Sequence, residues 1–138
     1  MMKQKFETLY KDIAVRVSEL SHAQRLKVGA VIVKEHRILS YGYNGMPSGL
    51  DNNCEYEKES KLVTKPEVIH AEVNAITKVA ASHDSTEGAT MFITHAPCVD
   101  CAKIIVSSGI NKVYFMTEYR DETGLNLLKN CGIEVIQG

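Results

Sequence analysis

The chain has 138 residues, 44% hydrophobic and 24% charged, with a formal net charge of −1 and a pI of about 6.5. That balance suits an ordinary globular domain with a sizeable core and provides no basic footprint for gripping DNA or RNA. No apolar run approaches the roughly 20 residues that span a bilayer, and M-M-K-Q-K-F-E lacks the apolar stretch of a secretory leader.

The expectation is therefore one domain over 1–138, cytoplasmic, with neither membrane nor nucleic-acid partners. Four cysteines in that compartment should be reduced thiols, better suited to metal or catalysis than to disulfides.

Phe6, Leu9, Ile13, Val17 and Leu20 recur at helical spacing and predict a helix ending near Ser21. V-G-A-V-I-V (28–33) reads as a buried strand, K-E-H-R as a turn, and I-L-S-Y-G-Y (38–43) as the returning strand. The polar stretch 44–65 reads as a long loop, a kind that is usually functional or disordered. A helix is predicted from Pro66 to about Ser82, anchored by Ile69, Val73 and Ile76.

Then follow a strand at 89–94, a helix from Pro97 to about Ser108, a strand at 112–117, a helix at 121–130 and a last strand at 133–136. The order α-β-β-α-β-α-β-α-β implies a mixed five-stranded sheet with helices on both faces. Its first two strands should form an antiparallel hairpin, and its last three should be parallel neighbours.

Two stretches carry chemistry. In P-C-V-D-C, Cys98 and Cys101 stand three apart, so on a helix both thiols face one side. This is chelating spacing, and thiolates gain from a helix's positive end. Alone it also reads as a redox pair or as two small core residues. In P-E-V-I-H-A-E, His70 and Glu72 are two apart, so along a regular helix they diverge by about 200°. They can still converge on something off the helix end.

A lone histidine here would be a core residue, and a lone glutamate a carboxylate favoured by the dipole. Together the four residues imply two helix N-termini pointing at one zinc. Three protein ligands, His70, Cys98 and Cys101, leave an open position for water, the pattern of a catalytic rather than a structural zinc. Glu72 is then the candidate base, placed to take a proton from that water without ligating the metal.

His70-Ala71-Glu72 followed by Pro97-Cys98-Val99-Asp100-Cys101 resembles the signature of zinc-dependent nucleobase deaminases. The element order is similar to the cytidine deaminase fold over essentially the whole chain, a three-layer α/β/α sandwich. Within that superfamily G-Y-N-G-M-P-S-G (42–49) and R-L-K-V-G-A-V-I-V (25–33) resemble the deoxycytidylate (dCMP) deaminases, in a compact, virus-like form.

The resemblance implies hydrolysis of dCMP to dUMP and ammonia, supplying thymidylate synthesis. Glu72 would move protons between water, the pyrimidine N3 and the leaving ammonia. It implies a homo-oligomer, commonly a hexamer, activated by dCTP and inhibited by dTTP, with Mg²⁺ accompanying the triphosphate. Asn44 would contact the sugar and the Ala71 backbone the pyrimidine edge. Arg25 is the first choice for the phosphate, as a fork-shaped donor, with Tyr119 and Arg120 next. Gly42, Gly45, Ser48, Gly49 and Asn53 would belong to the regulatory nucleotide site.

His22, His36, Cys54, His83, His95 and Cys131 remain over; Cys54 with His22 or His95 is weighed as a second zinc site, against the reading of unrelated surface histidines and a packed Cys131. The rival functions are a nucleic-acid deaminase of the tRNA adenosine type, a deaminase of cytidine, cytosine or guanine, and a structural-zinc or regulatory domain without activity.

Overall fold

The computed structural model describes residues 2–138; Met1, which opens the segment read for a leader, lies outside them. In chain order the elements are α1 (Gln4–Ser18), β1 (Gly29–Lys34), β2 (Arg37–Tyr43), β3 (Glu55–Lys58), β4 (Lys61–Thr64), α2 (Ala71–Ala80), β5 (Thr90–His95), α3 (Val99–Ser107), β6 (Lys112–Thr117), α4 (Thr123–Asn130) and β7 (Glu134–Gln137).

Five strands form one mixed sheet in the order β2-β1-β5-β6-β7. β1 is antiparallel to both β2 and β5, while β5, β6 and β7 run parallel. This is the cytidine-deaminase-like arrangement expected.

Alternation along the central strands divides the core. Ala30, Ile32, Met91, Ile93, Val113 and Phe115 face a layer built by α2, α3 and α4. Val31, Val33, Phe92 and Tyr114 face α1. Phe92 is stacked on Tyr114 with ring centroids 4.5 Å apart, and Tyr10 of α1 tilts onto Phe92 at 5.4 Å. α1 buries Tyr10, Ala14 and Val17, whereas Leu9 and Leu20, expected in the core, are 47% and 44% exposed. The face is turned because Ala14, too small to mark an apolar stripe, sits over side-chain-free Gly29.

Two further departures position the site. The expected loop 44–65 contains the β3–β4 hairpin, a separate two-stranded sheet turning at Glu59 and Ser60 with positive φ. Half of the residues in its strands E-Y-E-K and K-L-V-T are charged, and its turn lacks the Asn-Gly signal that announces such hairpins. Second, α2 begins at Ala71, not Pro66. Ile69 precedes the helix and is half-buried, forming a bridge with Gly45 through Ile69 N–H to Gly45 O at 2.8 Å and Gly45 N–H to Ile69 O at 3.1 Å. Pro66 biases Lys65 toward extended backbone, and the bridge keeps the chain extended up to His70.

Candidate active site

His70 and Cys98 are the N-cap residues of α2 and α3, both with extended backbone and neither using its side chain to cap its helix. The side chains are thereby left to each other. His70 Nδ1 lies 3.2 Å from Cys101 Sγ and 3.7 Å from Cys98 Sγ. The three donor atoms all lie within 4.8 Å of one another, and among the described residues no other group of three His, Cys, Asp or Glu converges in this way.

A tetrahedral zinc with Zn–N and Zn–S bonds of ordinary length separates nitrogen and sulfur ligands by about 3.6 Å. The spacing and the donor set therefore fit zinc, and the two helix N-termini add positive potential where thiolates would sit. Contacts from Cys101 and His70 draw the Cys98 thiol down to about 4, and the Cys98 contact raises the His70 imidazole. The Cys101 thiol is pushed strongly up, first by its contact to Cys98 and then by burial. One negative charge forms readily here and the second resists; a divalent cation between the donors would relieve that resistance.

Glu72, two residues into α2, is buried at 4% exposure. Burial raises its carboxyl above the usual range, against an opposing pull from backbone N–H and the His70 charge. A carboxyl held in this way can carry a proton near neutral pH and release it.

A cleft of about 540 Å³ opens over these groups, and it brings together the sequence-predicted substrate residues Arg25, Asn44, Ala71 and Tyr119 as well as Arg120. The remaining predicted residues lie elsewhere. Gly42 is buried in β2 against α2, where a Cβ would stand 2.6 Å from Ala71 O and Ala75 N, so helix packing accounts for it. Gly45 makes the bridge to Ile69, and Ser48, Gly49 and Asn53 are exposed on the loop outside the cleft lining.

Asn44 spans the 26–28 segment, its Oδ1 accepting from Val28 N–H at 2.8 Å and its Nδ2 donating to Leu26 O at 2.7 Å.

Sequence reasoning missed Glu55 and Thr64, which the unforeseen hairpin carries to the cleft, and left His95 unassigned. Glu55 is 3% exposed; its Oε2 accepts from the backbone N–H of Gln24 and Arg25, and Thr64 Oγ1 accepts from Arg25 Nη1 at 3.1 Å. Cys54, His22 and His95 do not converge into a second metal cluster. All four cysteines are free thiols, and Cys131, expected to be packed, is exposed.

The profile of the cytidine and deoxycytidylate deaminase zinc-binding region matches residues 4–117. The chain belongs to this deaminase family. It is 38% identical to the deoxycytidylate deaminase of phage T4 over 89% of this chain and 84% of that one. It is also 38% identical to the human deoxycytidylate deaminase over 86% and 70%. Among solved structures, the dCMP deaminase of cyanophage S-TIM5, in complex with dCMP and dUMP, matches over 100% of both chains with a TM-score of 0.95 and 43% identity. A transfer-RNA A34 deaminase at 18% identity and a TM-score of 0.65 shares the fold alone.

Proposed function

We propose that this chain hydrolyses dCMP to dUMP and ammonia as a single deaminase domain. The observation that carries the reading is a buried carboxyl, Glu72, beside a His-Cys-Cys cluster, at a cleft that also holds Arg25 and Arg120. The likeness to a dCMP deaminase that binds dCMP and dUMP supports it.

In this reading His70, Cys98 and Cys101 hold the metal. When bound, zinc supplies Lewis acidity that brings the ionisation of water toward neutral pH. Glu72 accepts a proton from the attacking water and passes it to N3 of the pyrimidine. The water oxygen adds to C4, the C4–N4 bond breaks, and Glu72 relays a second proton to the departing ammonia. The Ala71 backbone lies between ligand and base and faces the pyrimidine edge. Asn44 holds the 26–28 segment and offers its remaining amide hydrogen to the sugar. Arg25, with Tyr119 and Arg120, receives the 5′-phosphate as charged and hydroxyl donors.

The regulatory part of the reading is a cytoplasmic homo-oligomer, a hexamer, activated by dCTP and inhibited by dTTP, with Mg²⁺ accompanying the triphosphate. Gly45, Ser48, Gly49 and Asn53 suit an effector site because they stand off the substrate cleft. No helix among the described residues is long and apolar enough to cross a membrane.

The test is ammonia release from dCMP, deoxycytidine, CMP, and RNA or DNA oligonucleotides, each with and without dCTP or dTTP. Preferred turnover of dCMP is expected. Turnover that ignores loss of the 5′-phosphate, or that favours an oligonucleotide, overturns the substrate assignment. Hyperbolic dCMP curves that neither triphosphate moves would remove the regulation alone.

A further inference from the structure

His95 ends β5 and lines the cleft, yet the mechanism above does not use it. Its neighbour Thr94 is 6% exposed. Thr94 Oγ1 accepts from the backbone N–H of Gly29 at 3.1 Å and lies 2.8 Å from His95 Nδ1. A hydroxyl has one proton to give. Among the described residues the only acceptor Thr94 meets is that Nδ1, and a buried O–H left without a partner is costly. The Thr94 proton therefore points to Nδ1, which makes Nδ1 the acceptor and leaves the hydrogen of the neutral ring on Nε2. The chain Gly29 N–H, Thr94 O–H, His95 fixes one tautomer.

The end of β5 also has a definite place between the two arginine-bearing segments. On one side is Gly29, at the end of the run that starts at Arg25. On the other is Thr117, paired with His95 across the parallel ladder and followed at once by Glu118, Tyr119 and Arg120. The Ala96 N–H bonds to Thr117 O at 2.8 Å and locks this register. A donor between two guanidinium segments has an anion as its natural acceptor.

We propose that His95 is a specificity-determining residue of the nucleotide site, donating Nε2–H to the 5′-phosphate of the substrate from a tautomer set by Thr94. The contact rests on the dCMP reading above. Burial lowers the His95 pKa, which favours the neutral ring that the Thr94 contact already orients. As a neutral donor it adds direction to the phosphate site without adding charge.

The test compares His95→Leu and His95→Gln with the zinc-loaded wild type, since the Gln side-chain nitrogen takes up the Nε2 position. With dCMP, His95→Leu is expected to lower kcat/KM by about 10- to 100-fold, the range for a hydrogen bond to a charged group. With deoxycytidine it should change by less than about twofold, and His95→Gln should restore most of the dCMP activity. Long-range ¹H–¹⁵N spectra of the wild type should show the Nε2–H tautomer, a readout that needs no turnover. Equal losses on both substrates, no loss on dCMP, or an Nδ1–H tautomer each overturn the proposal. Absence of dCMP turnover in the wild type would instead overturn the substrate reading.

Discussion

Glu55 accepts the backbone N–H of Arg25 at 3.2 Å across 30 residues of sequence, with the Gln24 N–H on the same oxygen at 2.9 Å. The carboxylate is buried, and its second oxygen, Oε1, has no hydrogen-bond partner. Thr64, on the other strand of the same hairpin, holds the Arg25 guanidinium. The β3–β4 hairpin thus clasps the leading phosphate candidate at both its backbone and its side-chain end.

Glu55→Ala leaves two N–H groups without their charged acceptor, a loss of about 1.5–3 kcal/mol. The expected result is a KM for dCMP raised by roughly 10- to 100-fold with kcat changed far less. Steady-state kinetics on dCMP decide it: a fall in kcat at unchanged KM would place Glu55 in the chemistry rather than in positioning Arg25.

Glu72→Gln keeps the size and burial of the side chain but removes proton transfer. Activity should fall by at least about 10²- to 10⁴-fold while zinc content stays at that of the wild type. Metal analysis run beside the ammonia assay separates the alternatives. Loss of zinc would make Glu72 a ligand, and full activity with zinc present would remove it from the mechanism. Glu72→Gln also removes a carboxyl whose charge is opposed by burial, so the variant should fold at least as stably as the wild type.

Tyr114 donates its hydroxyl to Glu7 Oε1 at 2.7 Å, tying β6 to α1, and Lys11 and Lys112 lie over its ring. Burial, followed by the hydrogen bond to Glu7, raises the Tyr114 pKa, and the contact with Tyr114 raises that of Lys112. Folded pKa values above the unfolded ones mean that the folded state binds more protons, so this stability is intact below the unfolded values of about 10 and is lost as pH rises through the folded ones. Tyr114→Phe should cost about 1 kcal/mol at pH 7 and make unfolding less sensitive to pH in the alkaline range. Denaturant midpoints at neutral and alkaline pH measure it; parallel curves for the two proteins would refute the assignment.

The sheet was legible because its signals are strong: short apolar runs of β-branched and aromatic residues, and helices spaced to make parallel crossovers. The zinc cluster was legible because its ligands come as short local motifs. What could not be read has identifiable causes. The hairpin at 55–64 is half charged, turns on Glu59 and Ser60 rather than on an Asn-Gly pair, and holds only the short run Leu62–Thr64 as a strand signal. Glu55 falls in the polar stretch 44–65 that reads as a loop, and no local pattern announces its burial or its contact with the 24–25 backbone. His70 reads as helical because Ile69, Val73 and Ile76 keep the period, whereas the Gly45–Ile69 bridge ends the extended chain one residue before it. That bridge spans 24 residues of sequence, and local periodicity carries no trace of it.

Gly124 supplies the last prediction. It is buried in the first turn of α4, and a Cβ there would stand 2.2 Å from Pro97 O and 2.9 Å from the Cys98 carbonyl carbon. These atoms are backbone and cannot swing aside, so α4 approaches the P-C turn as closely as the chain allows. Gly124→Ala must move either the helix or the turn, and the turn carries a zinc ligand. Overpacking of this kind costs about 1–3 kcal/mol. If the turn moves, zinc affinity should fall by roughly 10- to 100-fold, the effect seen when the support of a ligand is disturbed. Competition with a chromogenic chelator gives the affinity, and thermal unfolding with saturating zinc gives the stability. A lowered melting temperature at unchanged zinc affinity would show that α4 yields instead, leaving Cys98 where α3 alone puts it.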